Sequence, residues 1–179
     1  MANDLKILQG FDGIVMVRDL AKAKTEDAKM VPYLTSTDFE LSRDSDSTAT
    51  KSGNVAKVGG LETSFSFETL DSTSETLDLL HKSLVDKTTL EFWFVKLGML
   101  GTDGKKVFAH YMRGRISKDS ESGDPDDNGT REFEVAVDGE PKDGYTKIPD
   151  GLREQINYIF QGLLKNDGTN GDNGVGAAD

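Results

Sequence analysis

The feature that most constrains this chain is its punctuation. Asp-Gly occurs six times, at 12, 103, 138, 143, 150 and 167, and Asn-Gly three times, at 128, 170 and 173. Both dipeptides suit turns that need positive φ, and between alternating segments they are the strongest short-range signal for a β-hairpin. The segments between them alternate with a period of two. Over residues 61–68, Leu61, Thr63, Phe65 and Phe67 face one way and Glu62, Ser64, Ser66 and Glu68 the other. Over residues 132–137, Phe133, Val135 and Val137 oppose Glu132, Glu134 and Ala136. Both read as half-buried strands. Residues 89–95 differ, because Leu90, Phe92 and Phe94 oppose Trp93 and Val95. A strand apolar on both faces is central in a sandwich or buried at an interface. Shorter strands are expected at 13–18, 31–34, 38–44 and 107–117, all in an antiparallel sheet.

Two stretches break the β pattern. Ser72 followed by Glu75 makes a capping box, and Leu77, Leu80, Leu84 and Val85 then recur at helical spacing, which predicts a helix from about Thr73 to Asp86. Asp150 is placed to cap a second helix over 151–165, with Leu152, Ile156, Ile159, Phe160 and Leu163 on one face. Residues 45–60 and 118–129 read as long, irregular acidic loops. Residues 166–179 are rich in Gly, Asn and Asp, with no Lys or Arg, and read as a flexible tail behind a single domain spanning 1–165.

Composition narrows the possible activities. The 179 residues carry a net charge of −11, which repels phosphate backbones and disfavours nucleic-acid binding as the purpose of the fold. There is no cysteine, so disulfides, zinc–thiolate sites and thiol catalysis are excluded. The opening residues lack the pattern of a signal peptide, and no run approaches the ~20 apolar residues that span a bilayer, so neither secretion nor a membrane partner is expected. Leu, Ile, Val and Phe make up about 24% of the chain, enough for a core but not for a large one.

The chemical motifs are near-misses. Asp124, Asp126, Asn128 and Gly129 fit positions one, three, five and six of a calcium loop, but position twelve is Val135 where a bidentate Glu is required. Gly104-Lys105 resembles the end of a phosphate loop, yet Gly98 sits one residue too far upstream and Lys106 replaces the Ser or Thr. Gly174-Val175-Gly176 cannot open a dinucleotide-binding helix three residues before the chain ends. His81 and His110 have no ligand or catalytic partner at a recognisable spacing, so both read as structural. No enzyme, cofactor or metal site is expected.

The residues do resemble a family, the major tail (tail tube) proteins of bacteriophages with long, non-contractile tails. The similarity runs from about residue 10 to 150. It begins with Gly10-Phe11-Asp12-Gly13-Ile14-Val15-Met16-Val17-Arg18, and continues with Leu41-Ser42-Arg43-Asp44-Ser45-Asp46 leading into Thr50-Lys51-Ser52-Gly53. Ala109-His110-Tyr111 with Gly114 and Ile116-Ser117-Lys118-Asp119 resembles the family's hairpin return, and Val137-Asp138-Gly139-Glu140-Pro141-Lys142-Asp143-Gly144 its Gly-x-Pro-x-x-Gly turn. The resemblance implies a mainly β, antiparallel sandwich or barrel-like subunit with a flanking helix. Such subunits assemble as hexameric rings stacked into the virion's tail tube, the conduit for DNA ejection. It also implies a tape-measure protein, tail terminator and distal tail proteins as partners, non-specific passage of DNA, and assembly in the host cytoplasm. On that reading Thr50, Lys51, Ser52 and Gly53 reach an adjacent ring, Glu62, Glu68, Glu132 and Glu134 are candidates to line the lumen, and Trp93 is a candidate intersubunit aromatic. The alternative is a non-enzymatic β-sandwich binding module for carbohydrate or a receptor.

Overall fold

A computed structural model of the chain describes Leu8, residues 10–149 and Leu152. The chain divides into two compact units, Met1–Thr146 and Lys147–Asp179. Apart from Leu152, the proposed helix at 151–165 and the tail at 166–179 lie outside the described residues.

The strands are β1 (Gly13–Asp19), β2 (Lys29–Met30), β3 (Leu34–Thr50), β4 (Gly53–Leu70), β5 (Leu90–Leu100), β6 (Lys106–Ser122), β7 (Thr130–Val137) and β8 (Lys142–Lys147), with one helix, α1 (Glu75–Asp86), between β4 and β5. Neighbouring strands run β2-β1-β5-β6-β7-β4-β3, and β8 also pairs with β6. The pairings along this order are antiparallel, as the alternating segments require.

Register follows burial. Val15 and Val17 on β1 sit opposite Phe94 and Phe92 on β5, and Phe92 in turn sits opposite Met112 on β6. Phe65 and Phe67 on β4 meet Val135 and Phe133 on β7. A slip of one residue in any of these pairs would turn its apolar set to water. The sheet then folds over so that β3 and β4 lie against β5 and β6, from which β7 separates them in strand order. Phe65 packs edge-on to Phe92 at 6.2 Å between ring centroids, and Phe39 stacks on His110 at 4.5 Å. The expectation of an antiparallel, sandwich-like subunit with a flanking helix is therefore met.

Helix α1 covers the remaining side of this core with Leu77 and Leu80, both fully buried. Its N-cap is Ser74, whose hydroxyl accepts the Thr76 N–H at 3.2 Å, so the helix starts two residues later than Ser72 suggests. Val85 lies on the wet side, 63% exposed, because the buried stripe runs through Thr76, Leu77, Leu80 and Ser83. Ser83 ties helix to sheet: its Oγ donates to the Thr88 carbonyl at 2.8 Å and accepts the Ile116 N–H at 3.3 Å. That N–H lies at an irregularity in the β6–β7 ladder between Ile116 and Lys118, where the regular ladder is interrupted.

Three sequence expectations are corrected. Residues 45–60 are not an irregular loop: they form the outer half of the β3–β4 hairpin, paired from Ser45↔Val58 to Thr50↔Gly53. Residues 118–129 are strand as far as Ser122, and only 123–129 connect β6 to β7. The 31–34 strand is displaced: β2 covers Lys29–Met30, Pro32 interrupts, and β3 starts at Leu34.

Gly114 marks a close approach of β6 and β7, since an added Cβ would fall on the carbonyl oxygen of Ala136. Gly114→Ala must push two core strands apart. Overpacking of this kind costs about 1–3 kcal/mol. Urea unfolding should show the unfolding free energy falling by that amount, with a lower midpoint; an unchanged midpoint would mean that the strands separate freely there.

Candidate assembly surfaces

The hairpin of β3 and β4 outruns the core. From residue 41 to residue 58 every side chain is exposed, and β4 acquires its second neighbour, β7, only at Phe65↔Val135. The ribbon beyond Arg43 therefore projects about 25 Å, at roughly 3.3 Å per residue. Its turn gathers Thr50, Lys51, Ser52 and Gly53. Thr50 Oγ1 donates to the Gly53 carbonyl at 2.6 Å and accepts the Ser52 N–H at 3.3 Å, and Gly53 takes φ of 127°. Lys51 is exposed at the tip. A two-stranded ribbon without a core is marginally stable in water.

The four candidate acids separate into a cluster and an outlier. Glu68 sits opposite Glu132, and Ser66 opposite Glu134, on the sheet face that points away from Phe67 and Phe133. Lys118 of β6 bonds both Glu132 Oε2 (3.2 Å) and Glu134 Oε1 (2.8 Å). Its ammonium is held above its usual pKa, chiefly by the hydrogen bond to Glu134 and then that to Glu132. Glu68 accepts a hydrogen bond from Thr35 Oγ1 at 2.8 Å. Glu62 stands six residues up β4, opposite Ser42, outside this cluster. Lys118 was missed by sequence reasoning because its segment looked like a loop; paired across an antiparallel ladder, it partly neutralises the acids.

Trp93 lies on central strand β5, on the face away from the core. Its ring meets Tyr111 at 5.3 Å, with the Arg18 guanidinium 5.1 Å above it. Beneath them Glu91 is buried. Arg18 reaches Glu91 Oε2 through Nε at 2.9 Å and Nη2 at 2.7 Å, while the Tyr111 hydroxyl donates to Oε1 at 2.6 Å. Burial, and then the bond to Glu91, raises the Tyr111 phenol above its usual pKa. Trp93 is thus fixed by its own subunit and half-exposed.

The histidines have carboxylate partners that their sequence neighbourhood does not reveal. His110 Nδ1 lies 2.6 Å from Asp143 Oδ1 on β8. His81 Nδ1 lies 2.9 Å from Asp119 Oδ2, and Arg131 forks onto both Asp119 oxygens at 2.8 and 2.7 Å. Arg131 also lies 3.4 Å from Glu121 and 3.9 Å from Asp71. The Asp119 carboxyl is held below the usual range, chiefly by its hydrogen bonds to Arg131 and against the effect of burial.

Among the described residues no group of His, Asp and Glu is placed to hold a metal ion, and no helix is long and apolar enough to cross a membrane. What the surface offers is extended, charge-patterned strand, the material of a subunit that builds with other proteins. The comparisons identify the class. Residues 7–143 match the family model for phage tail tube proteins, and the chain belongs to that family. It is a structural component of a phage tail, not an enzyme. No curated protein matches it by sequence.

Among solved structures, the fold is similar to the SPP1 tail tube, with a TM-score of 0.68 at 15% identity over 84% of this chain and 85% of that one. It is also similar to the tail of a gene transfer agent particle determined with C6 symmetry, with a TM-score of 0.59 at 13% identity over 80% of this chain and 100% of that one. A third likeness is to the sheath–tube complex of an extracellular contractile injection system, with a TM-score of 0.51 at 12% identity over 81% and 95%.

The Arg131–Asp119 fork yields a prediction with a definite sign. A carboxyl whose folded pKa is depressed contributes stability above its unfolded value, near ~3.9, and loses it as pH falls through the folded value. Arg131→Met leaves the buried Asp119 with only the exposed His81 imidazole as a partner, a loss of at most about 3–5 kcal/mol at pH 7. The gap between variant and wild type should narrow as pH falls from the Asp119 pKa of the variant, which burial without the guanidinium pushes up, to the depressed one of the wild type. Urea titrations across that range test this; a gap independent of pH would mean that Arg131 acts only by packing on Phe133.

Proposed function

We propose that copies of this chain close into rings of six, and that the rings stack into the hollow tube of a long, non-contractile phage tail through which DNA leaves the virion. Family membership supports the tube, and the C6 symmetry of the gene transfer agent tail supports the number. The chain's own contribution is the exposed ribbon over residues 43–60, which has no partner surface among the described residues of its own subunit. We assign it to the adjacent ring, with Thr50, Lys51, Ser52 and Gly53 at the contact and Lys51 pairing with a neighbour's carboxylate.

The same reading places Glu68, Glu132 and Glu134, and Glu62 further along the strand, toward the lumen. A lined acidic wall repels phosphate, so DNA slides without adhering. Trp93, already fixed by Tyr111 and Arg18, would offer its exposed edge to a neighbouring subunit. A tape-measure protein would set the tube's length and terminator and distal tail proteins would close its ends, with assembly in the host cytoplasm. The family assignment sets aside a carbohydrate- or receptor-binding module.

Two experiments test this reading. Replacing residues 46–57 by a Gly-Ser turn removes only exposed ribbon, and closing the shorter loop costs no additional entropy. The subunit should stay folded by circular dichroism while electron microscopy shows monomers or isolated rings; full-length tubes would assign stacking to another element. Replacing Glu62, Glu68, Glu132 and Glu134 together by Lys removes both carboxylate partners of Lys118, partly exposed ion pairs worth about 0–1 kcal/mol each, so the subunit should stay folded with a modest loss of stability. Phage built from those subunits should assemble tails and eject DNA poorly; normal infectivity would place these residues outside the lumen.

A further inference from the structure

The β3–β4 ribbon is built in two parts, one bound into the core and one beyond it, and a slip in its ladder marks the junction between them. Below the junction, β4 carries Phe65 and Phe67 into the core and is held between β3 and β7. Above it, and already from Ser64, the ribbon has only its own ladder. At the junction that ladder slips: Arg43 pairs with Leu61, but Ser45 pairs with Val58, so Asp44 alone faces both Gly59 and Gly60. A bulge of this kind locally breaks the regular hydrogen bonding.

The glycines are informative because this conformation does not require both of them. A Cβ added at Gly60 would meet nothing within 4 Å, and its φ lies outside the left-handed range. At Gly59 the nearest atom to an added Cβ would be the Asp44 carbonyl oxygen at 3.3 Å, a tight contact, and its φ is also outside that range. Glycine inside a strand weakens it and supplies access to other backbone conformations. At Gly60 that access is what glycine adds here. Among the described residues an exposed side-chain bond spans the bulge, from Arg43 Nη1 to the Gly59 carbonyl at 3.1 Å.

We propose that Asp44, Gly59 and Gly60 form a hinge about which the outer ribbon changes its angle to the core. In a stack of rings this hinge makes the ring-to-ring connection compliant, so that its stiffness sets how readily the tube bends. The second clause rests on the assignment of the ribbon to the adjacent ring; the first does not.

The chain has no cysteine, so paired labels can be introduced cleanly. Spin labels at Asn54→Cys and Lys82→Cys report the outer ribbon against α1, and labels at Ser64→Cys and Lys82→Cys report β4 on the core side of the bulge. On the unassembled subunit, pulsed electron–electron distance measurements should give a broad distribution for the first pair and a narrow one for the second. Gly60→Val, which has room for its side chain, should narrow the first distribution toward the second, and Gly59→Ala combined with Gly60→Val should narrow it further. Equal widths for the two pairs in the native background, or a first distribution indifferent to Gly60→Val, would overturn the hinge. Tubes assembled from Gly60→Val subunits should be straighter, with a longer persistence length in electron micrographs. A narrowed distance distribution with unchanged tube curvature would keep the hinge and refute its role in bending. Tubes that form normally without residues 46–57 would instead refute the inter-ring assignment, leaving the spin-label result as it stands.

Discussion

The contact on which the rest of the structure depends is aromatic packing across the folded-over sheet. Strands β3 and β4 are separated from β5 and β6 in strand order, and Phe39, Phe65, Phe92 and Phe94 bring them together, with centroids about 6.2 Å apart in the Phe39–Phe94 and Phe65–Phe92 pairs. Each fully buried Phe contributes roughly 1.5–3 kcal/mol through apolar area removed from water, and well-oriented pairs add about 0.5–1.5 kcal/mol. Phe39 and Phe65 lie opposite each other, and beyond them toward the turn neither strand has another aromatic. Their position decides where the core stops. Everything further along the two strands is ribbon in water.

The polar side of the structure follows from the same geometry. The chain sets its ion pairs on both faces of the sheet rather than leaving charges single, around Glu91 on the outward face beside Trp93 and around Asp119 on the face that carries Phe133 and α1. Glu91 is closed over by Arg18 and Tyr111, and Asp119 by Arg131, each carboxylate only 5% exposed. Buried pairs of this kind contribute little net stability against an apolar substitute, but removing one partner is costly, so they fix geometry. Arg131 links β6 and β7 with His81 of α1 and Asp71 of the β4–α1 connection nearby. Lys118 does the same more loosely among surface glutamates. With a net charge of −11, subunits repel over about a Debye length, ~10 Å at 0.1 M salt, so contacts between copies must be short-ranged.

What was legible in the sequence was whatever a core imposes. Phe65, Phe67, Phe133 and Val135 alternate because one face of each strand is dry, and period-two hydrophobicity records that directly. The two-faced apolar stretch around Trp93 correctly marked a central strand, β5 between β1 and β6. The outer ribbon was illegible for the complementary reason. Its ladder is made by the backbone, which every sequence possesses, while its side chains alternate Ser, Thr, Ala and Asp with no buried face to select among them. Its turn is Lys51-Ser52, with neither Asn-Gly nor Asp-Gly to announce it, whereas Asp143-Gly144 sits inside β8 and announces nothing. The partners of His81, His110 and Lys118 are all separated from them by at least 14 residues, so spacing along the chain could not reveal them. The tail tube resemblance covered the right stretch, since the family match spans residues 7–143.

The ribbon's composition also answers a hazard. Among the described residues β3 ends the strand order, so its outer edge from Leu34 to Thr50 has no strand partner there. A long, flat, apolar edge of that kind aggregates. Here the edge carries Asp38, Glu40, Arg43, Asp44 and Asp46, and the bulge at Asp44 interrupts its flatness. Five charges along the strand make indiscriminate strand addition costly, while the last residues before the turn, Ser47, Thr48, Ala49 and Thr50, carry none. The same strand thus resists association along its shaft and permits it at its end. A polymer that grows by one defined contact needs that division, because a subunit adhesive along its whole edge would form sheets instead of a tube.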